Sequence, residues 1–187
     1  MQDKNNTQSD CPLGHDGELQ VRKRFPSSYH WDERNLPLMI RPAISPSLAK
    51  FLEAQTFFFI STSSTAGHCD CSFRGREYTV GGQPLPAIKV MDEHHLFFPD
   101  FSGNGLYNSL GNIHLNAHIG MLFVDFDQQR RARINGVATI QNIDETLAKI
   151  WPMAQACIRV DIEQAYGNCT ARIPRMRMYE GSDRAFS

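Results

Sequence analysis

The chain has 187 residues, 41% hydrophobic and 21% charged, with a formal net charge of -1. That size and balance suit one compact globular domain with extensions. They leave no basic excess to hold nucleic acid or an anionic membrane, and no apolar run approaches the roughly 18 residues of a membrane span.

Residues 1–41 read as a polar N-terminal extension, partly disordered, with Tyr29 and Trp31 as candidate anchors. Residues 1–10 lack the apolar segment of a signal peptide, so the cytoplasm is the expected location. A helix starts at Ser45-Pro46, where Ser45 caps free amides and Pro46 occupies a position whose N–H has no partner anyway. Leu48, Phe51 and Leu52 share one face, and the helix ends by Gln55. Residues 56–61 form a buried strand and 69–73 the next. Residues 87–91 and 95–98 make a hairpin across an Asp92-Glu93 turn. A helical segment over 108–116 follows a Gly-Asn-Gly loop. Strands at 119–126 and 131–141 come next, with a bend at Gly136. A helix over 144–156 and a strand over 158–165 complete a domain expected to span 42–176, followed by a tail over 177–187. Short strands with few helices point to a mainly β fold, an antiparallel barrel closed fully or in part.

The five cysteines, Cys11, Cys69, Cys71, Cys157 and Cys169, are odd in number and do not fit a disulfide framework. Cys69-x-Cys71 lacks the second thiol pair of a zinc finger, so free thiols are expected. His114 and His118 stand at helical metal-binding spacing, and His94-His95 sit beside a hairpin. No zinc-protease pattern accompanies them, so surface or capping roles are expected and no metal is assigned.

Three segments carry candidate chemistry. Residues 70–75 read Asp-Cys-Ser-Phe-Arg-Gly, in which Arg74 offers a planar fork of donors for phosphate and Gly75 admits close ligand approach. Taken alone, a surface arginine in a turn is the plainer reading. Residues 98–112 form a Gly-, Asn- and Ser-rich loop running into a helix, whose backbone N–H groups suit a phosphate or a polar cofactor rim, though a capped turn reads equally well. In residues 131–138, alternation sets Arg131, Arg133 and Asn135 on one face, expected to be exposed for at least Arg131.

Together these segments make an ordered series: Phe-Ile-Ser-Thr at 59–62, Asp-x-Ser-x-Arg-Gly at 70–75, Phe-Pro-Asp at 98–100, Gly-Asn at 103–104, Ser-Leu-x-Asn-Ile at 109–113, Gly-x-Leu-Phe at 120–123 and Arg-x-Asn-Gly-x-Ala at 133–138. The series resembles the pyridoxamine 5'-phosphate oxidase-related, FMN-binding split-barrel family over residues 45–174. The resemblance implies a six-stranded antiparallel split barrel that forms a homodimer with FMN at the interface. It places Ser72, Arg74 and Gly75 at FMN after the early strands, Lys89 and Val90 beside the isoalloxazine, and Pro99 and Asp100 at the next strand end. Asn104, Ser109, Leu110 and Asn112 fall near the phosphate and ribityl chain. Many relatives end in His-Cys-x-Lys-Ala followed by Arg; this chain reads Asn168-Cys169-Thr170-Ala171-Arg172, then Pro174-Arg175, so Arg172 and Arg175 are the remaining cationic candidates. The function implied is an FMN-dependent oxidoreductase using a small-molecule substrate or a nicotinamide donor, with no single acid or base assigned. A non-catalytic flavin binder and a haem-binding split barrel are the alternatives.

Overall fold

A chain whose strands alternate apolar and polar residues needs a sheet with two distinct faces, and the computed structural model is built around one. It describes residues 14–168 and 170–177, apart from the Asn168 side chain. Residues 1–13, with Cys11, as well as Cys169 and residues 178–187 of the expected tail, lie outside the described residues. The contacts group into two units that divide between Arg41 and Pro42.

The first unit contains α1 (Asp16–Arg24) and α2 (Leu36–Met39). The sequence reading assigns no helix to this stretch because α1 carries no buried residue and hence no apolar stripe. Its signals lie at the ends. His15 and Glu18 form a reciprocal capping box, with acidic residues in the first turn and basic ones in the last, each complementing the helix dipole. The Tyr29 and Trp31 rings pack on each other with centroids 4.6 Å apart.

The second unit runs through α3 (Pro46–Glu53), β1 (Phe57–Ser63), β2 (Cys69–Gly75), β3 (Lys89–Val90), β4 (His95–Asp100), α4 (Asn108–Leu115), β5 (His118–Asp125), β6 (Arg130–Gln141), α5 (Glu145–Ile150) and β7 (Ala156–Asn168). One antiparallel sheet holds all seven strands in the order β2-β1-β5-β6-β7-β4-β3. The short β3 brings the count to seven against the six that the resemblance implied. The edges β2 and β3 do not pair with each other in this sheet, which leaves it curled but open, as a split barrel.

Phe58, Phe98 and Phe123 are fully buried at the centre of the inner face. Phe58 stacks on Phe123 and meets Phe98 edge-on, with centroids 5.1 Å and 5.4 Å away. Ile60, Ile134, Ile158 and Val160 fill the space around them. On β6 the alternation buries Ala132, Ile134 and Ala138 and leaves Arg133 exposed. Arg131 departs from the exposed position expected of it: it is half-buried, and its Nε is shielded without a partner. The β6–β7 register shifts between Asn135 and Gly136, at the glycine expected to bend. A Cβ at Gly136 would overlap the Asp161 carbonyl oxygen, so the close approach of the two strands requires glycine.

Helix α5 is shorter than the 144–156 expected. Trp151 precedes Pro152, which disfavours helical backbone at Trp151, and its φ of -132° and ψ of 77° lie outside the helical region. The indole is fully buried and its Nε1 donates to the Pro86 carbonyl at 2.7 Å. The chain then enters β7 at Ala156. In the small core beneath, burial pushes the Cys157 thiol up to about 11, with the Asp144 charge adding to the effect. Among the described residues no helix is long and apolar enough to cross a membrane.

Candidate functional site

Alternation on β2 sends Cys69, Cys71 and Phe73 to one face and Asp70, Ser72 and Arg74 to the other. The second set walls a cavity of about 240 Å³. The rest of the wall comes from Asp100 at the end of β4, the loop from Phe101 to Tyr107, the start of α4, and Gln155 just before β7.

Arg74 Nη1 donates to Asp100 Oδ1 at 2.8 Å, with side-chain exposures of 20% and 8%. The other carboxylate oxygen of Asp100 accepts from Gln155 Nε2 at 2.8 Å, and the Asp100 carbonyl accepts from the Gln155 backbone N–H at 2.9 Å. Arg74 Nε is shielded from solvent and has no partner. At the other end of the β2 row, Ser109 Oγ donates to Asp70 Oδ2 at 2.9 Å. Asp70 and Arg74 stand four residues apart on the strand, about 13 Å along it.

Helix α4 opens onto the same cavity. Tyr107, at its N-cap, has a φ of 52° and makes no side-chain capping bond. The first intrahelical bond runs from the Gly111 N–H to the Tyr107 carbonyl, so the first-turn N–H groups point out of the helix at its positive end. Gly105, with a φ of 76°, gives the preceding loop its left-handed turn. The described wall therefore carries one guanidinium, two carboxylates that already accept hydrogen bonds, and a free helix start. The Arg74 guanidinium and the α4 amides match the oxygens of a phosphate ester. Asp70 Oδ1 remains an acceptor for a hydroxyl. This donor set fits the phosphate and ribityl portion of FMN.

Of the residues singled out in the sequence, Ser72, Arg74, Asp100, Asn104, Ser109 and Leu110 come together here. The others stand elsewhere. Gly75 pairs with Phe57 at the end of β2. Lys89 Nζ is held by Glu53 Oε1 at 2.9 Å, and the Val90 N–H donates to the same oxygen at 3.0 Å. Pro99 is buried in β4, and Asn112 donates to Thr62 Oγ1 at 3.1 Å. Arg172 is exposed in a turn with a φ of 66°, and Arg175 is exposed beyond it. Two wall residues, Asp70 and Gln155, are absent from the sequence-based set. The Asp70-Ser72-Arg74 alternation was the available signal for the first. No local signal marks the second, which reaches Asp100 only because β7 pairs with β4.

The histidines form no common site. Helix α4 ends at Leu115, so His118 opens β5 instead of sharing a helix with His114. His95 Nδ1 bonds the Asp92 carboxylate at 2.8 Å and its Nε2 lies 3.5 Å from Asp161 Oδ1. Among the described residues no three His, Cys, Asp or Glu side chains gather as a metal site.

No family model and no curated protein matches the sequence. Solved structures do match. HupZ of Group A Streptococcus superposes with a TM-score of 0.52 at 18% identity, over 66% of this chain and 93% of that one. An FMN-binding protein from Syntrophomonas wolfei subsp. wolfei gives 0.49 at 8% identity, over 66% and 87%. At 18% identity the likeness to HupZ speaks to architecture alone, and with the sheet order above it supports one conclusion: the chain has an antiparallel split-barrel fold.

Proposed function

We propose that this chain is an FMN-binding flavoprotein that works as an oxidoreductase on a small molecule. The observation that carries the reading is the convergence of the Arg74 guanidinium and the uncapped start of α4 on one cavity also lined by Ser72 and Asn104. In this reading Arg74 and the α4 amides hold the phosphate, and Asp70 accepts from a ribityl hydroxyl. Bound flavin supplies the electron-transfer chemistry, taking electrons from a nicotinamide or a small substrate; the protein binds and orients it.

The cavity of about 240 Å³ is smaller than the roughly 300–1,000 Å³ of a site enclosing a drug-sized ligand. The isoalloxazine must therefore extend beyond it, and a second copy of the chain is the proposed cover. The outer sheet face, opposite the cavity on β2, offers a surface on which two copies can associate. Phe57, Phe59, Phe73 and Phe126 form a ring cluster there with centroids 5.3–6.4 Å apart, and Phe73 is 60% exposed. A contiguous aromatic face of this kind marks an association surface.

The test is the absorbance spectrum of the purified protein, followed by titration of flavin-free protein with FMN and with riboflavin. Flavin bands and a marked preference for FMN are expected. A Soret band without flavin, or no binding of either flavin, overturns the reading. Turnover with NADH or NADPH and an acceptor then separates an enzyme from a non-catalytic binder. Phe73→Lys should shift the sedimentation of the protein toward the monomer.

A further inference from the structure

Arginine and a carboxylate at contact distance ordinarily close as a fork, with two parallel N–H···O bonds. Here they do not. Arg74 gives Asp100 a single bond, from Nη1 to Oδ1. The other oxygen, Oδ2, accepts from Gln155 Nε2 at 2.8 Å, which fixes the rotation of the carboxylate. Gln155 is itself anchored, because its backbone N–H donates to the Asp100 carbonyl and its side-chain amide also approaches the Phe101 carbonyl at 3.4 Å. The result is a shielded guanidinium whose Nε has no partner, in the wall of a cavity. A shielded donor left unpaired costs about 1–3 kcal/mol, so something must keep the arginine from turning onto the carboxylate to satisfy it.

We infer that Gln155 is a positioning residue: by drawing Asp100 Oδ2 toward its own amide it holds the carboxylate turned so that only Oδ1 meets Arg74, and so reserves guanidinium donors for an anionic ligand. The ligand class is a phosphate ester, and that part rests on the flavin reading above. The arrangement also explains how an arginine already paired with an aspartate still serves an anion. Asp100 sets the position of the guanidinium through one contact, and Gln155 limits it to one.

Gln155→Met keeps the length of the side chain and removes its donor, which frees Asp100 Oδ2. The crystal structure of this variant should show Arg74 paired with Asp100 through two nitrogens, and the Arg74 Nε–Hε signal should move in the NMR spectrum. FMN should bind at least about tenfold more weakly, equivalent to about 1.4 kcal/mol, while riboflavin, which lacks the phosphate, changes little. Adding Asp100→Asn removes the charge that captures the arginine, so the double variant should regain FMN affinity relative to Gln155→Met alone. A purely structural glutamine would give the opposite pattern, with losses that add and riboflavin and FMN affected alike. An unchanged single-bonded Arg74 in the variant overturns the inference whatever the flavin does. A wild-type protein that binds no FMN, with the fork nevertheless forming in the variant, sinks the flavin reading and leaves the positioning role supported.

Discussion

Replacing Arg74 with methionine tests both the stability and the chemistry of the site. The substitution keeps most of the aliphatic stem and removes the charge. The lost contact is 2.8 Å long, and at an effective dielectric of about 20 the Coulomb attraction of such a pair is about 6 kcal/mol. Desolvation of the two ions offsets much of that. Stranding one member of a shielded pair typically costs about 3–5 kcal/mol. Arg74 retains 20% exposure and Asp100 keeps its bond from Gln155, which lowers the expectation to about 2–4 kcal/mol. With a urea m-value of about 2 kcal/mol/M, the unfolding midpoint should fall by about 1–2 M with the slope unchanged. Combining Arg74→Met with Asp100→Asn removes the stranded charge and should recover more than half of the loss. A single variant that unfolds at the wild-type midpoint would refute the claim that this pair is shielded and mutually dependent.

Four further outcomes follow from other parts of the molecule. Gly136→Ala pushes a methyl group into the Asp161 carbonyl at the β6–β7 register shift and should destabilise by about 1–3 kcal/mol, read by denaturant unfolding. Trp151→Phe leaves the Pro86 carbonyl without its 2.7 Å donor and should cost about 1–3 kcal/mol, with the melting temperature falling about 2–4 °C per kcal/mol in a chain of this size. The side-chain bond from His95 and the backbone bond from His94 hold the Asp92 carboxyl below its ordinary value of 3.8. Its contribution to stability is therefore present above that value and lost as pH falls through the lower folded one. In His95→Ala the Asp92 side-chain NMR titration should move up toward 3.8. Finally, Cys157, buried and raised to about 11, should resist iodoacetamide at pH 8, whereas exposed Cys69 and Cys71 should be alkylated; peptide mass mapping assigns each site.

Much of the architecture follows from local pattern. The Ser45-Pro46 start of α3, the alternating strands, the β3–β4 hairpin and the bend at Gly136 each rest on residues close together in the chain, whose backbone preferences and apolar periods act before any tertiary contact forms. The ordered motifs likewise brought Ser72, Arg74, Asp100, Asn104, Ser109 and Leu110 into one candidate set, and the fold gathers them around one cavity. What the sequence could not supply is which of two plausible partners a polar group takes. The resemblance places Lys89 beside the isoalloxazine, yet Glu53 of α3 holds its ammonium. Arg74 reads as a free fork, yet Asp100 and Gln155 limit it to one contact. Those pairings depend on residues tens of positions apart meeting across the sheet within about 3 Å, a matter of register and curvature, and periodicity carries no information about them. The sequence by itself determined most strands and part of the cavity wall; only the tertiary structure brought Gln155 to Asp100 and decided which polar groups pair there, because that depends on distances set by packing.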